Sequence, residues 1–255
     1  MIALIGSGNV AHWVASRLER SREFPIAQVY SRDMDNAVAL AEKVGAHPIC
    51  DLSRLRPDCD IYLFTVADDA YRSVLQQIPF TMPLALHTAG SVSQDVFCGY
   101  AREYGVLYPL QTFSKHSDMS DLEVPLCLED NNIGPGREMV ARFAAELSGN
   151  CRQVDEEQRA VLHLAAVFAC NFSNAMACAA DDILTAEGLD FKMLLPLMRQ
   201  TLDKLRELPP AEAQTGPAMR GDRSVMDKHL GMLHDKRLRD IYREISAYIE
   251  ERKGR

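Results

Sequence analysis

The sharpest constraint on the fold lies in residues 2–11. Ile2-Ala3-Leu4-Ile5 is a short β-type run, followed by Gly6-Ser7-Gly8-Asn9-Val10-Ala11 and then a helical pattern. Each small residue in that turn has its own reason to be there. Gly6 permits a tight turn, Gly8 leaves the backbone open to a pyrophosphate, and Ala11 lets the helix pack closely on the strand. Phosphate oxygens would meet the free N–H groups at the helix N-terminus. The segment therefore predicts a dinucleotide-binding loop made by Gly6, Ser7, Gly8, Asn9, Val10 and Ala11. The alternative is a glycine turn in an α/β fold that binds no nucleotide.

The rest of the first 155 residues supports that prediction. β-type runs at 2–5, 26–30, 61–66, 84–87, 106–108, 124–128 and 151–154 alternate with amphipathic stretches near 10–20, 35–44, 69–77, 94–104 and 135–148. This alternation predicts βαβ units and a mostly parallel sheet. After Asp155 the period changes and β-type runs cease. Asp155 can cap a helix that runs to about Glu187 and ends at Gly188, with further helices near 190–206, 223–235 and 237–252 and a loop over 211–222. The expected architecture is an α/β Rossmann-type domain over 1–155 and an all-α domain over 156–255.

The end of the second strand bears on the choice of cofactor. NAD-binding chains usually place an acid there for the ribose 2′-hydroxyl. Here the strand ends in Tyr30-Ser31-Arg32, which suits a 2′-phosphate and predicts NADP(H) rather than NAD. Beyond the carboxyl ends of the later strands, Val66, Ala67, Thr88 and Gly90 are expected to border the cofactor. Asp68 reads as a helix N-cap, and His87 and Ser91 as either nicotinamide or substrate contacts or structural groups. Gln111 and Thr112 are further candidates for substrate contact. In the helical half, His163, Asn171 and Asn174 fall within about 80° of one another at 100° per residue, one polar stripe on an apolar helix. Arg220, in the segment Gln214–Asp222, could clamp an anion, and His229 follows it. Histidine spacing predicts no metal site.

The net charge of −8 disfavours a nucleic-acid partner. The seven cysteines form no Cys-x-x-Cys pair, and Cys127 and Cys170 sit in apolar runs, which predicts buried, reduced thiols in a cytoplasmic protein. No signal peptide precedes Ile2 and no apolar run reaches membrane-span length, so no membrane association is expected.

The whole chain resembles the Rossmann-like family that carries a C-terminal domain called DUF2520. The resemblance rests on Gly6–Ala11, His87-Thr88-Ala89-Gly90-Ser91, Tyr108–Phe113, Asn171-Phe172-Ser173-Asn174 and Gln214–Asp222. The N-terminal half is similar to coenzyme F420-dependent NADP reductases and pyrroline-5-carboxylate reductases. The two-domain plan resembles the 6-phosphogluconate and 3-hydroxyisobutyrate dehydrogenase group, which implies a helical domain that dimerises and closes the active site. Where that group places a catalytic lysine, this chain offers His163 and Asn171. The resemblance implies an NADP-dependent oxidoreductase acting on a small, anionic substrate in a cleft between the domains, as a homodimer. The candidate catalytic residues are His87, His163, Asn171, Arg220 and His229. The alternative is a non-catalytic NADP(H)-binding sensor or regulatory dimer.

Overall fold

The computed structural model describes residues 1–115, 119 and 122–253. The chain divides into two compact units, Met1–Cys170 and Asn171–Arg255. The first contains strands β1 (Ile2–Ile5), β2 (Ile26–Tyr30), β3 (His47–Ile49), β4 (Ile61–Phe64), β5 (Met82–His87), β6 (Ala101–Pro109), β7 (Leu126–Asn132) and β8 (Cys151–Gln153). Its helices are α1 (Asn9–Leu18), α2 (Met34–Val44), α3 (Tyr71–Leu75), α4 (Arg137–Leu147) and α5 (Glu156–Ala166). The strands form one sheet in the order β3-β2-β1-β4-β5-β6-β7-β8. The first six are parallel; β7 runs antiparallel to β6, and β8 parallel to β7. The order 3-2-1-4-5-6 is that of a Rossmann sheet, and its switch point lies between β1 and β4.

β1 shows how the sequence positions this sheet. All four of its residues are buried, and they alternate between two cores. Ile2 and Leu4 pack with Trp13, Leu63, Leu86 and Phe143 on one face. Ala3 and Ile5 pack with Tyr62, Phe64, Tyr71 and Phe97 on the other. A strand covered on both faces reads as an unbroken apolar run, which is why it was visible in the sequence.

Two elements differ from the sequence expectation. The amphipathic stretch at 94–104 is a 3₁₀ turn, Gln94–Phe97, followed by β6 from Ala101. Gly99, at φ +82°, breaks the helix, and Phe97 and Tyr104 serve the second core from a turn and a strand. β3 was not foreseen: it is three residues long and contains Pro48, tolerable only because it is the sheet edge.

Asp155 caps α5 in a capping box with Gln158. A π-helical turn, Val167–Phe172, joins α5 to α6 (Ser173–Ala186). The expected domain boundary at 155 thus marks the start of helical chain, whereas the compact units divide after Cys170. The reason is that Arg159 and His163, on α5, make their side-chain contacts with β6, β7 and the loop after β5.

The second unit consists, among its described residues, of α6, a 3₁₀ turn Phe191–Leu194, α7 (Leu195–Lys204), α8 (Pro210–Ala213), α9 (Pro217–Arg220), α10 (Arg223–Met232) and α11 (Lys236–Glu251). The expected loop at 211–222 therefore holds two helical turns, each begun by proline at its first position. The helix Glu156–Ala186 corrects another expectation. It spans 31 residues, its best window has mean hydropathy 1.5, and none of that window is buried, so by length and composition it could cross a membrane. Cys170, in the same helix, is exposed, as are Cys50, Cys98, Cys151 and Cys178; only Cys59 and Cys127 are buried.

Candidate functional site

The carboxyl ends of β1, β2 and β4 enclose a cavity of about 580 Å³. It is lined by Gly6, Ser7, Gly8, Ser31, Arg32 and Val66, among others, including Ala67. Gly6 has φ +124°, and a Cβ there would stand 2.5 Å from Thr65 Oγ1 and 2.7 Å from the Thr65 carbonyl. The glycine is thus required by the crossing of β1 past β4. Gly8 differs: a Cβ would meet nothing within 4 Å. It is the N-cap of α1, and neither a capping side chain nor an acid in the first turn competes for the free N–H groups. The opening in front of Gly8 is the cradle that a phosphate needs. Ala11 is fully buried and Val10 partly so, both packing α1 onto the first core.

Asn9 plays a different part from the one expected. Its Nδ2 donates to the Phe113 carbonyl at 2.9 Å, and its Oδ1 accepts from the Lys115 amide at 3.2 Å. Its side chain is spent on holding the segment after β6. Gln111, likewise, turns back to accept from the amide of Thr112.

At the end of β2, Ser31 is buried and accepts from Ser7 Oγ at 2.8 Å, joining this strand end to the glycine loop. Asp33 caps α2 by accepting from the Asn36 amide, so its carboxylate is engaged. Arg32 is exposed and makes no ion pair among the described residues.

A second group forms at the ends of β5 and β6. The Tyr108 hydroxyl lies 3.0 Å from His163 Nδ1, with the rings edge to face at 5.9 Å. Burial pushes the Tyr108 phenol up. Gly90 is buried, and a Cβ on it would approach His163 Nδ1 to 2.6 Å. Its smallness therefore seats α5 against the loop after β5. Thr88 is buried, with its hydroxyl donating to the Phe64 carbonyl. Asp68 is no N-cap: Ala67 holds that position, and Asp68 accepts from the Ser91 hydroxyl.

His87 is corrected as a catalytic candidate. It is fully buried, its Nδ1 accepts from the Ala89 amide at 3.2 Å, and its ring packs against Tyr71 and Phe97. It shares the face of Ala85, in the second core. Burial, aided by the Arg159 charge, lowers its pKa to about 3.

Sequence reasoning missed Arg159. Its side chain is 1% exposed and pairs with the equally buried Glu129 at 3.2 Å. It also donates to the carbonyls of Ala89 and Gly90, at 3.2 and 2.9 Å. Gln94 donates to the other Glu129 oxygen at 2.5 Å. Only its place in a capping sequence, one turn before the apolar helix face, hinted at an inward arginine.

The remaining candidates belong to the second unit and are described there alone. Asn171 and Asn174 are exposed. The π-helical turn Val167–Phe172 contains Asn171 and precedes Asn174, so 100° per residue no longer relates their face to that of His163. Arg220 is exposed at the end of α9 with no described partner. His229 Nδ1 meets the Tyr242 hydroxyl at 3.0 Å, on an apolar groove of about 470 Å³ between α6, α9, α10 and α11. Among the described residues no cluster suits a metal ion.

Comparison with known proteins agrees with this geometry. Residues 1–85 match the family described as NADP oxidoreductase coenzyme F420-dependent, and residues 124–249 match the domain of unknown function DUF2520. A solved structure from Bacteroides fragilis, provisionally named an NADP oxidoreductase, is 40% identical over 98% of this chain and 97% of its own, with a TM-score of 0.91. An imine reductase from Myxococcus stipitatus in complex with NADP+ shares the fold at 16% identity, 98% and 92% coverage and TM-score 0.63. A Plasmodium falciparum pyrroline carboxylate reductase with NADP bound shares it at 12% identity, 99% and 98% coverage and TM-score 0.61. No curated protein matches the sequence.

Below its ordinary pKa of about 6.5 the buried His87 opposes folding. Between that value and about 3 the unfolded chain binds a proton that the folded chain refuses, so stability falls as pH falls through this window. The His87 contribution should amount to about 1.4 kcal/mol between pH 7.5 and 5.5. Burial raises the Glu129 pKa against the pull of Arg159, which acts with the opposite sign, so the comparison needs a variant. Urea denaturation of wild type and His87→Gln at both pH values should show the smaller loss in the variant. Equal losses would mean that folded His87 accepts its proton normally.

Proposed function

The chain belongs to the family of NADP oxidoreductases that the Bacteroides fragilis protein represents, and from that premise we propose that it reduces or oxidises a small substrate with NADP(H) bound along Gly6–Ala11. The observation that carries this reading is the end of β2. The acid that follows it, Asp33, is engaged as a helix cap, while Ser31 and Arg32, which makes no ion pair among the described residues, border the cavity where a 2′-phosphate would lie. Gly8 leaves room for the pyrophosphate at the start of α1.

When bound, NADPH supplies the hydride. The chain's own part is to orient the substrate and to hold the accompanying proton. His163 is the group we assign to it. Tyr108, whose phenol pKa is raised by burial, lies 3.0 Å from Nδ1 and fixes the orientation of the ring. In the second unit, taken by itself, Arg220 is exposed with no ion pair among the described residues, a charge that suits an anionic ligand.

We also propose that the active form is a homodimer. Among its described residues the second unit buries only Ala218, Met226 and Ser246, while Phe172, Met193, Leu197, Leu202 and Tyr248 are exposed. A helical unit with so thin a core needs a second surface for its apolar faces, and another copy offers the same need.

Calorimetric titration should give tighter binding of NADPH than of NADH, by about tenfold or more, the worth of a charge-assisted hydrogen bond of about 1.5–3 kcal/mol. Arg32→Ala should erase the difference; a wild type that prefers NADH would overturn the cofactor reading. Once an absorbance screen for NADPH consumption identifies a substrate, His163→Gln should cut kcat by about 10²-fold or more while NADPH affinity stays within about twofold. A fully active variant removes His163 from the proton path. Light scattering at micromolar concentration should return twice the 28.5 kDa chain mass. A persistent monomer, or a chain that sediments with lipid vesicles, would contradict the dimer.

A further inference from the structure

Arg159 stands on α5, yet its described side-chain partners lie elsewhere in the first unit. Its Nε meets Glu129 on β7, and its Nη1 holds two successive carbonyls, Ala89 and Gly90, in the loop that follows β5. Both members of the ion pair are almost wholly buried. Burying a guanidinium and a carboxylate costs several kcal/mol per ion, which mutual attraction repays only with good geometry. An apolar pair would hold α5 to the sheet without that cost. What an apolar pair cannot do is fix the direction of two backbone carbonyls, and the guanidinium does so with Nη1 while its Nε stays on the Glu129 carboxylate.

Those carbonyls matter because of where they are. In a Rossmann sheet the half built on β1 and β2 takes one nucleotide and the half built on β4 to β6 takes the other. The cavity containing Ser31 and Arg32 belongs to the first half. The Thr88–Gly90 loop belongs to the second, and His163 occupies the space that a Cβ on Gly90 would need. Glu129 is fixed in turn by Gln94, which lies just beyond the same loop.

We infer that Arg159 is a positioning residue for the nicotinamide half of the site: its hold on the Ala89 and Gly90 carbonyls sets the loop after β5 and, through Gly90, the His163–Tyr108 pair. This inference rests on the NADP(H) reading above. It separates the two halves of the cofactor. The 2′-phosphoadenosine half is bound by residues that Arg159 does not touch, so only the other half depends on it.

The test uses the full chain, titrated by calorimetry with NADPH and separately with 2′,5′-ADP, which carries the adenine half alone. Arg159→Lys keeps a charge but offers one nitrogen where Nε and Nη1 now divide Glu129 from the two carbonyls. It should leave 2′,5′-ADP affinity unchanged within about twofold and weaken NADPH by about tenfold, a loss near 1.4 kcal/mol. The fluorescence of bound NADPH should shift toward that of the free cofactor. Should Arg159→Lys fail to fold, Gly90→Ala reports on the same loop, because the added Cβ, 2.6 Å from His163 Nδ1, pushes loop and ring apart while leaving the ion pair in place. It should give the same split. Equal weakening of both ligands in the folded variant would make Arg159 a merely structural group and overturn the inference, as would no weakening of either. A wild type that binds 2′,5′-ADP but not NADPH overturns it too, whereas one that binds neither overturns the cofactor reading on which it stands.

Discussion

The first unit depends on one close approach: Gly6 against Thr65. The two strands that meet there, β1 and β4, are the pair between which the sheet changes direction. Thr65 continues the ladder by donating its amide to the Ile5 carbonyl at 2.8 Å, and its hydroxyl reaches the same oxygen at 3.2 Å. Gly6 donates to Tyr30 on the other side at 2.9 Å. The chain can thus leave β1 under full hydrogen bonding on both flanks only if residue 6 has no Cβ and tolerates φ +124°. That turn aims α1 so that its first amides face outward over Gly8. Displacing it would shift the sheet's switch point and the phosphate cradle together, because one backbone crossing produces both.

A comparable economy governs the other half of the sheet, with charge instead of a missing side chain as the means. Arg159 and Glu129 are the only ion pair among the described residues with both side chains essentially excluded from solvent; the other pairs are at least partly exposed. Exposed pairs of that kind contribute at most about 1 kcal/mol each. The buried pair cannot be weighed the same way, since removing either partner strands the other. Its effect is conformational. α5 leaves the sheet region carrying His163 in a fixed place beside Tyr108, and the unit boundary falls after Cys170, beyond both side chains.

What the sequence revealed divides along the range of the interactions. The glycine loop and the strand before it are local: ten consecutive residues carry the turn, the helix start and the tight packing, and all three appear as read. The capping of α5 by Asp155 is local as well. The Ser31–Arg32 strand end was legible for the same reason, whereas the capping of α2 by Asp33 emerged only with the structure. Arg159 was not legible, because its partners lie thirty residues away on β7 and about seventy away in the loop after β5. His87 could have been read better. Strand parity places it with Ala85, opposite Leu84 and Leu86, and the face shared with Ala85 is the one closed by Tyr71 and Phe97. The stretch 94–104 misled because apolar residues three and four apart fit a helix as well as a turn followed by a strand, and Gly99 decided between them.

The helical half poses the opposite problem, since its periodicity was clear and its packing was not. Helical spacing says which residues share a stripe and nothing about what covers the stripe. On α11 the stripe is strong: Leu238, Ile241, Tyr242, Ile245 and Ile249 all line the groove that α6, α9 and α10 complete. Yet Ile241 and Ile245 remain more than a third exposed, and so do Met176 and Ile183 facing them. The groove is therefore lined on each side by apolar residues that the unit itself leaves in water. At about 25 cal/mol per Å² such surface is a standing cost in an isolated chain. The long helix 156–186 repeats the pattern, with an apolar window that none of the described residues buries. Its N-terminal turns are committed to the sheet through Arg159 and His163, so one helix joins a buried, ion-paired start to an apolar window that stands in water.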